Sequence, residues 1–593
     1  MSLFWRGYAG VLVVTVCLFI GFGADAAARD DTSAVEPEPA SSDVKARLEK
    51  LTQIQQDLRD DKPAKAAEKL REFAKGMTPE LALAIIREVG YEPFEDLIAQ
   101  GGDFRRTALN ISALARHATF KELTDPEAIR AAVSDFLEGG RKSGPAYRLL
   151  KDRVGEFSVQ YLLEAWNKSS DYGVKTQIEM VLTTLGPRVV PPMIAALDTD
   201  DALLKIVLIE VLSKHGDWRA AAKLRRIAAD ENMTQATRQV AMKACDRIVR
   251  AHLGAGADKY SAAQLYTMIA EDYLANRSSK IRNVIPRYYL NEGTRFFTWS
   301  MRDGVLVARQ IPRFAYNYEM AITMAARAIE LDPSNQRASD VIVCARLAEI
   351  VGGQIILDYD EAMKNEMLTE AERDAISAAL DSARAGRPKA LARGLRSLCG
   401  ALHLALKYHL DAAAVECIDA IAALPAAPYT DFIPADEKEA NTEEKYGDSL
   451  TLALRVGGRR VRFRAAIALA RIASSKRFVN MELVPDLLLK AMEETGAVRV
   501  LVVHPDAETR NLLRLSLGAL GYEVILAGDS TEGIAAARDF PAPDIIIVHN
   551  RLDLGTDHFI VMLRDNRATS ETPVLIISRG DEESLKDDKT RFS

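Results

Sequence analysis

Apolar residues in this chain recur with two distinct periods. Through most of its length they fall three and four positions apart, as in VKARLEKLTQIQQDLRD, TPELALAIIREVG and DPEAIRAAVSDFLEGG. That spacing lines one face of an α-helix. Thr78-Pro79-Glu80 and Asp125-Pro126-Glu127 predict helix starts: a capping oxygen, a proline where no N–H partner is lost, and an acid near the positive end. From Val154 to Ala220 the helices pair, each unit reading helix, polar break (SSDYG or TDD), helix, glycine. Gly155, Gly186 and Gly216 mark the units at intervals of 31 and 30 residues. A fixed period of this length predicts stacked helical hairpins, none of which buries its apolar face alone.

The second period begins at Ala497. VRVLVV, YEVILA, DIIIVH and PVLIIS are short runs rich in β-branched residues, separated by DAETRNLLRLSLGALG, STEGIAAARDF and HFIVMLRDNR. Strands alternating with helices predict a parallel, doubly wound sheet. A third pattern interrupts the helices. RFFTWS and VLVARQI flank Met301-Arg302-Asp303-Gly304, a hairpin turn. Insertions into helical stacks often lie on a binding face, so Trp299, Arg302 and Arg309 form a candidate interaction patch; the other reading makes the hairpin a cover over a seam between stacks.

The expected organisation has six parts: 1–28 a signal peptide or anchor, 29–42 a linker, 43–253 helical repeats, 257–353 a second helical region with the hairpin near 295–310, 354–495 further repeats with an acidic loop at 427–447, and 497–593 the α/β segment. The fold class is therefore mainly α, an α-solenoid with one β-hairpin insertion, followed by a small flavodoxin-like α/β domain.

Several stretches resemble known families. Gly186 to Pro192 (GPRVVPP) with Val207, Leu208, Val211 and Leu212, and Arg462, Ala465, Ala468 and Leu469 with Ile472, are similar to HEAT repeats. Ala321, Ala325, Ala328, Leu331, Asp332, Pro333 and Asn335 resemble the second helix and closing turn of a tetratricopeptide repeat. The α/β segment resembles a response-regulator receiver in the order and length of its elements. That resemblance implies paired acids after the first strand, but here those positions are His504 and Pro505, with Asp506 following. The phosphoacceptor position falls on His549, and the hydroxyl position ending the fourth strand on Ser578. No fifth strand with its lysine-proline is found before Ser593. A receiver without its carboxylates lacks the oxygen ligands for Mg²⁺ and is expected not to accept phosphate.

Residues 1–31 hold Arg6, an apolar run from Tyr8 to Phe22, and Ala24-Asp25-Ala26 as a cleavage site. This resembles a secretory signal peptide, with an uncleaved anchor as the other reading. The rest of the chain is expected to be exported to the periplasm or envelope, and to meet the membrane only if the segment is retained. A net charge of -7 gives no basic footprint, so no nucleic acid is expected as a partner. Cys245, Cys344, Cys399 and Cys417 have no CxxC spacing; buried thiols are expected, with a Cys399–Cys417 bridge the alternative.

No HExxH, GxxxxGK[ST] or GxSxG motif occurs. No cofactor, catalytic residue or resident metal is expected, although His504 and His549, with Asp506 and Asp553 near, are the one pairing that invites a metal. The expected function is a non-catalytic exported scaffold for protein partners. A signalling protein with an atypical receiver is the alternative, and an enzyme the third reading.

Overall fold

A computed structural model describes residues 42–277, 280–281, 296–362, 368–424, 448–472, 477–493, 498–538, 542–565, 569 and 572–577. The apolar run of 8–22, Tyr288 and Tyr289, the acidic loop 427–447 and Ser578 lie outside these residues. Among the described residues no helix is long and apolar enough to cross a membrane. The chain is mostly helical, with a two-stranded hairpin and a four-stranded parallel sheet. It divides into two units, one ending at Gly386 and the other beginning at Arg387.

In the first unit, helices Ser42–Arg59, Pro63–Ala74, Pro79–Val89, Glu92–Gln100 and Gly102–Leu123 enclose one apolar core around Ile54, Leu70, Phe73, Ile85 and Phe94. The predicted helix starts are present: Thr78 accepts from the Leu81 N–H at 3.2 Å and Asp125 from that of Glu127 at 3.2 Å. Helices Pro126–Glu138, Ser158–Lys168, Tyr172–Thr184, Val190–Ala196, Ala202–His215, Ala221–Ala229, Gln235–Leu253 and Ala262–Leu274 follow, packing mainly on near neighbours in sequence.

The three periodic glycines all take positive φ (59° at Gly155, 83° at Gly186, 64° at Gly216), a region that costs other residues steric strain. Gly155 has a second reason. A Cβ there would lie 2.5 Å from the Arg188 guanidinium, so any larger residue would also have to displace that flexible side chain.

Strands β1 (Phe296–Arg302) and β2 (Val305–Ile311) pair antiparallel through Asp303 and Gly304, both at positive φ. Two such residues twist a tight turn to match the strands. The hairpin packs on Val190–Ala196 and on helix Arg313–Leu331. Ala321, Ala325 and Ala328 of that helix are fully buried, and small side chains there let helices Ala262–Leu274 and Gln336–Ala362 approach closely. The boundary expected at 353 falls inside helix Gln336–Ala362, which runs through Gly352 and Gly353. Gly353 lies against the Phe314 ring, where a Cβ would come within 3.0 Å; it serves packing and does not break the helix.

The second unit continues with helices Leu395–Lys407, Asp411–Ala422, Asp448–Leu452, Arg459–Ile472 and Leu483–Glu493. All four described cysteines are buried and in no disulfide, so Cys399 and Cys417 are not bridged. β3 (Arg499–Val503), β4 (Glu523–Ala527), β5 (Ile545–His549) and β6 (Val574–Ile577) are all parallel in the order β4-β3-β5-β6. Helices Ser530–Arg538 and Thr556–Arg564 cover Leu501, Val503, Ile546 and Val548, while Ala507–Ala519 covers Val500, Val502 and Ile547 on the other face. Burial on both faces explains why the strands read as unbroken apolar runs.

In the basic run 459–464, Arg460 and Arg464 are exposed, while Arg459 is turned to a structural use. Arg459 pairs with the buried Asp544 and donates to the Ala542 carbonyl at 3.1 Å, fixing helix Arg459–Ile472 to the start of β5. Arg464 reaches Asp419 at 3.6 Å.

Candidate functional site

Ligands of open parallel sheets bind beyond the carboxyl ends of the strands. Here β3 and β5 are neighbours, and their ends bring His504 and His549 together with ring centroids 4.5 Å apart in an edge-to-face arrangement. His504 is 4% exposed, a tight fit that follows from the apolar residues of β3 before it. Its Nδ1 accepts the Asp506 N–H at 3.0 Å, which leaves the ring proton of the neutral form on Nε2. His549 Nδ1 lies 3.1 Å from the Arg551 N–H and 3.0 Å from the Arg551 carbonyl, accepting from the first in one tautomer and donating to the second in the other.

The acids nearby are occupied locally. Asp506 caps helix Ala507–Ala519, accepting from the Thr509 hydroxyl at 2.6 Å and its N–H at 2.8 Å. Those bonds hold its pKa below the usual carboxylate range. Asp553 accepts from the Ser530 N–H at 2.9 Å, and its pKa is likewise lowered, first by Ser530. Pro505 contributes only its carbonyl, which accepts from Arg510 at 3.0 Å. Among the described residues no three His, Cys, Asp or Glu side chains converge on a metal position.

The hairpin patch divides in two. Trp299 shares a strand face with Phe297, while the register (Thr298 opposite Arg309, Arg302 opposite Val305) places both arginines on the other face. Trp299 packs on Phe157 at 5.4 Å and donates its indole N–H to Glu156 at 2.8 Å. Phe297 stacks on Phe120 at 5.6 Å. Arg302 is exposed, and Arg309 meets Glu319 at 3.6 Å. The three therefore do not form one surface.

Beneath the hairpin lies a set of buried charges that sequence reasoning did not single out. Glu156 is partly exposed as a residue, yet its carboxyl end sits under Trp299, where burial raises its pKa against the pull of Trp299, Arg188 and Arg219. Asp217 and Arg219 form a bidentate pair at 2.9 and 2.8 Å, with side chains only 5% and 6% exposed. Burial opposes both charges. Their mutual attraction outweighs it, lowering the Asp217 pKa and raising that of Arg219. Arg219 also donates to the Pro187 carbonyl at 3.2 Å. Tyr273 and Tyr316 meet edge to face at 6.3 Å, and burial raises both hydroxyl pKa values.

A second charge chain continues from the hairpin. Arg346 bridges Glu319 at 3.4 Å and Glu349 at 2.5 Å. Burial, with the Glu319 charge beside it, pushes the Glu349 pKa up to about 8 despite Arg346.

Neither a family model nor a curated protein matches the chain.

Proposed function

We propose that the chain is a non-catalytic, exported scaffold for protein partners, built on HEAT-like and tetratricopeptide-like helical hairpins. Its C-terminal segment is a receiver-like domain that takes no phosphate at the usual position. The observation that carries this reading is the pairing of His504 and His549 at the ends of β3 and β5. An aspartyl phosphate needs a carboxylate nucleophile and oxygen ligands for Mg²⁺. Imidazoles stand at those two positions, and Asp506 is engaged as a helix cap. The serial packing of short helices in the first unit supports the repeat reading, since each helix finds its apolar partners nearby in sequence.

The test is recovery of the tagged full chain from its host after fractionation. Enrichment in the envelope with a stoichiometric protein partner supports the proposal. A chain found only in the cytoplasm, or a purified chain that turns over a small molecule, contradicts it. The second reading, a signalling protein with an atypical receiver, draws on the strand order β4-β3-β5-β6 and predicts labelling by a small phosphodonor.

A further inference from the structure

Four helices of the first unit bring together cations that the scaffold reading does not use. Lys223, on Ala221–Ala229, is 4% exposed, and its ammonium touches the Asp198 carboxylate just beyond helix Val190–Ala196. Arg226 follows three positions later, on the same side of that helix. Helix Ala262–Leu274 packs on Ala221–Ala229 and on Arg313–Leu331, and carries Tyr266 between them.

Tyr266 is 2% exposed, and its hydroxyl is closed to solvent with no hydrogen-bond partner among the described residues. Such a group costs stability unless something meets it. Arg327, on Arg313–Leu331, lies near enough to act on this hydroxyl both by its charge and as a donor, though in no well-formed hydrogen bond, and Arg226 and Asp198 act on it more weakly. Among the described residues neither Arg226 nor Arg327 is in an ion pair. Burial lowers the Lys223 pKa, and Arg327 and Arg226 lower it further against Asp198. Lys223, Arg327 and the exposed Arg226 thus act on this region with Asp198 as the opposing carboxylate, three positive charges to one.

We propose that Lys223, Arg226, Arg327 and the Tyr266 hydroxyl form a binding site for a doubly charged tetrahedral oxyanion, inorganic phosphate or a phosphate monoester. The excess charge matches a dianion. Guanidinium forks, an ammonium and a phenol supply donors in several directions, as a tetrahedral group requires. Asp198 holds Lys223 in place from the solvent side. The site is independent of the scaffold reading, because it rests on these helices alone.

The full chain is titrated calorimetrically with sodium phosphate, sodium sulfate and phosphoserine against sodium chloride at equal ionic strength. Saturable phosphate binding is expected. Arg327→Gln should weaken it at least about tenfold, the loss typical of one hydrogen bond to a charged group. Tyr266→Phe should weaken it several-fold while leaving the phosphate-free melting temperature unchanged or raised, which separates lost binding from lost folding. Arg302→Gln, on the exposed hairpin, should bind as the parent does. Tighter binding of phosphoserine than of phosphate assigns the anion to a larger molecule, and the reverse order assigns it to the free ion; both support the site. No saturable binding above chloride, or undiminished binding by both Arg327→Gln and Tyr266→Phe, overturns it.

Discussion

Beneath the β1–β2 hairpin, Asp217 and Arg219 lie side by side with their charges intact, whereas at the ends of β3 and β5 two imidazoles rest on each other with no described carboxylate free to join them. The first arrangement is polar and closed. Each charge there has a partner in hydrogen-bond geometry, so burial strengthens the pair even as it disfavours each charge alone. The second occupies the place where such sheets usually bind ligands, yet its Nδ1 atoms are engaged by backbone groups two residues away. Buried charge beneath the hairpin is thus closed on itself, while at the strand ends Asp506 and Asp553 are held in local hydrogen bonds.

This contrast predicts unequal costs of mutation. The largest is expected for Arg219→Ala, which strands the Asp217 carboxylate in a closed site. Loss of one partner of a buried pair costs about 3–5 kcal/mol, read as a lowered denaturant midpoint. An Arg219→Ala chain as stable as the parent would mean that the pair is not a structural element. Trp299→Phe keeps the ring contact with Phe157 but removes the donor to Glu156, an expected loss of about 1–3 kcal/mol. His549→Ala, at the strand ends, should cost only about 0.5–1.5 kcal/mol, the worth of one aromatic contact.

Glu349 sharpens the comparison through pH. Its folded-state pKa of about 8 exceeds the ordinary 4.5, so the folded chain holds this proton more tightly than the unfolded one. Stability from this group is complete below the ordinary value and is lost as pH rises through about 8. Melting temperatures taken across that window should fall more steeply for the parent than for Glu349→Gln. Parallel curves would remove Glu349 as the source of the slope.

Local features of this fold were legible in the sequence, and distant ones were not. Thr78 and Asp125 cap the helices predicted for them because capping involves only the next two or three residues. The four strands were legible because a sheet buried on both faces leaves a continuous apolar run. Gly352-Gly353 misled because a glycine that ends a helix and one that admits a neighbouring ring look alike in one dimension; only the position of Phe314 distinguishes them.

The site followed the same rule. His504 and His549 were found from strand ends, but their local bonds to the backbone needed coordinates. Asp217 and Arg219 sit in the turn GDWRA, and nothing local shows that Pro187 and Tyr273 complete their surroundings. Arg459 and Asp544 are likewise joined only by the fold. Trp299, Arg302 and Arg309 were grouped by residue type, and strand alternation separates them.

The most direct measurement is intact-mass analysis of the purified full chain after incubation with Mg²⁺ and acetyl phosphate, alongside a known receiver as positive control. With imidazoles at 504 and 549, the mass should stay unchanged while the control is labelled. An acid-labile phosphoryl adduct on an aspartate of residues 498–577 would contradict the account.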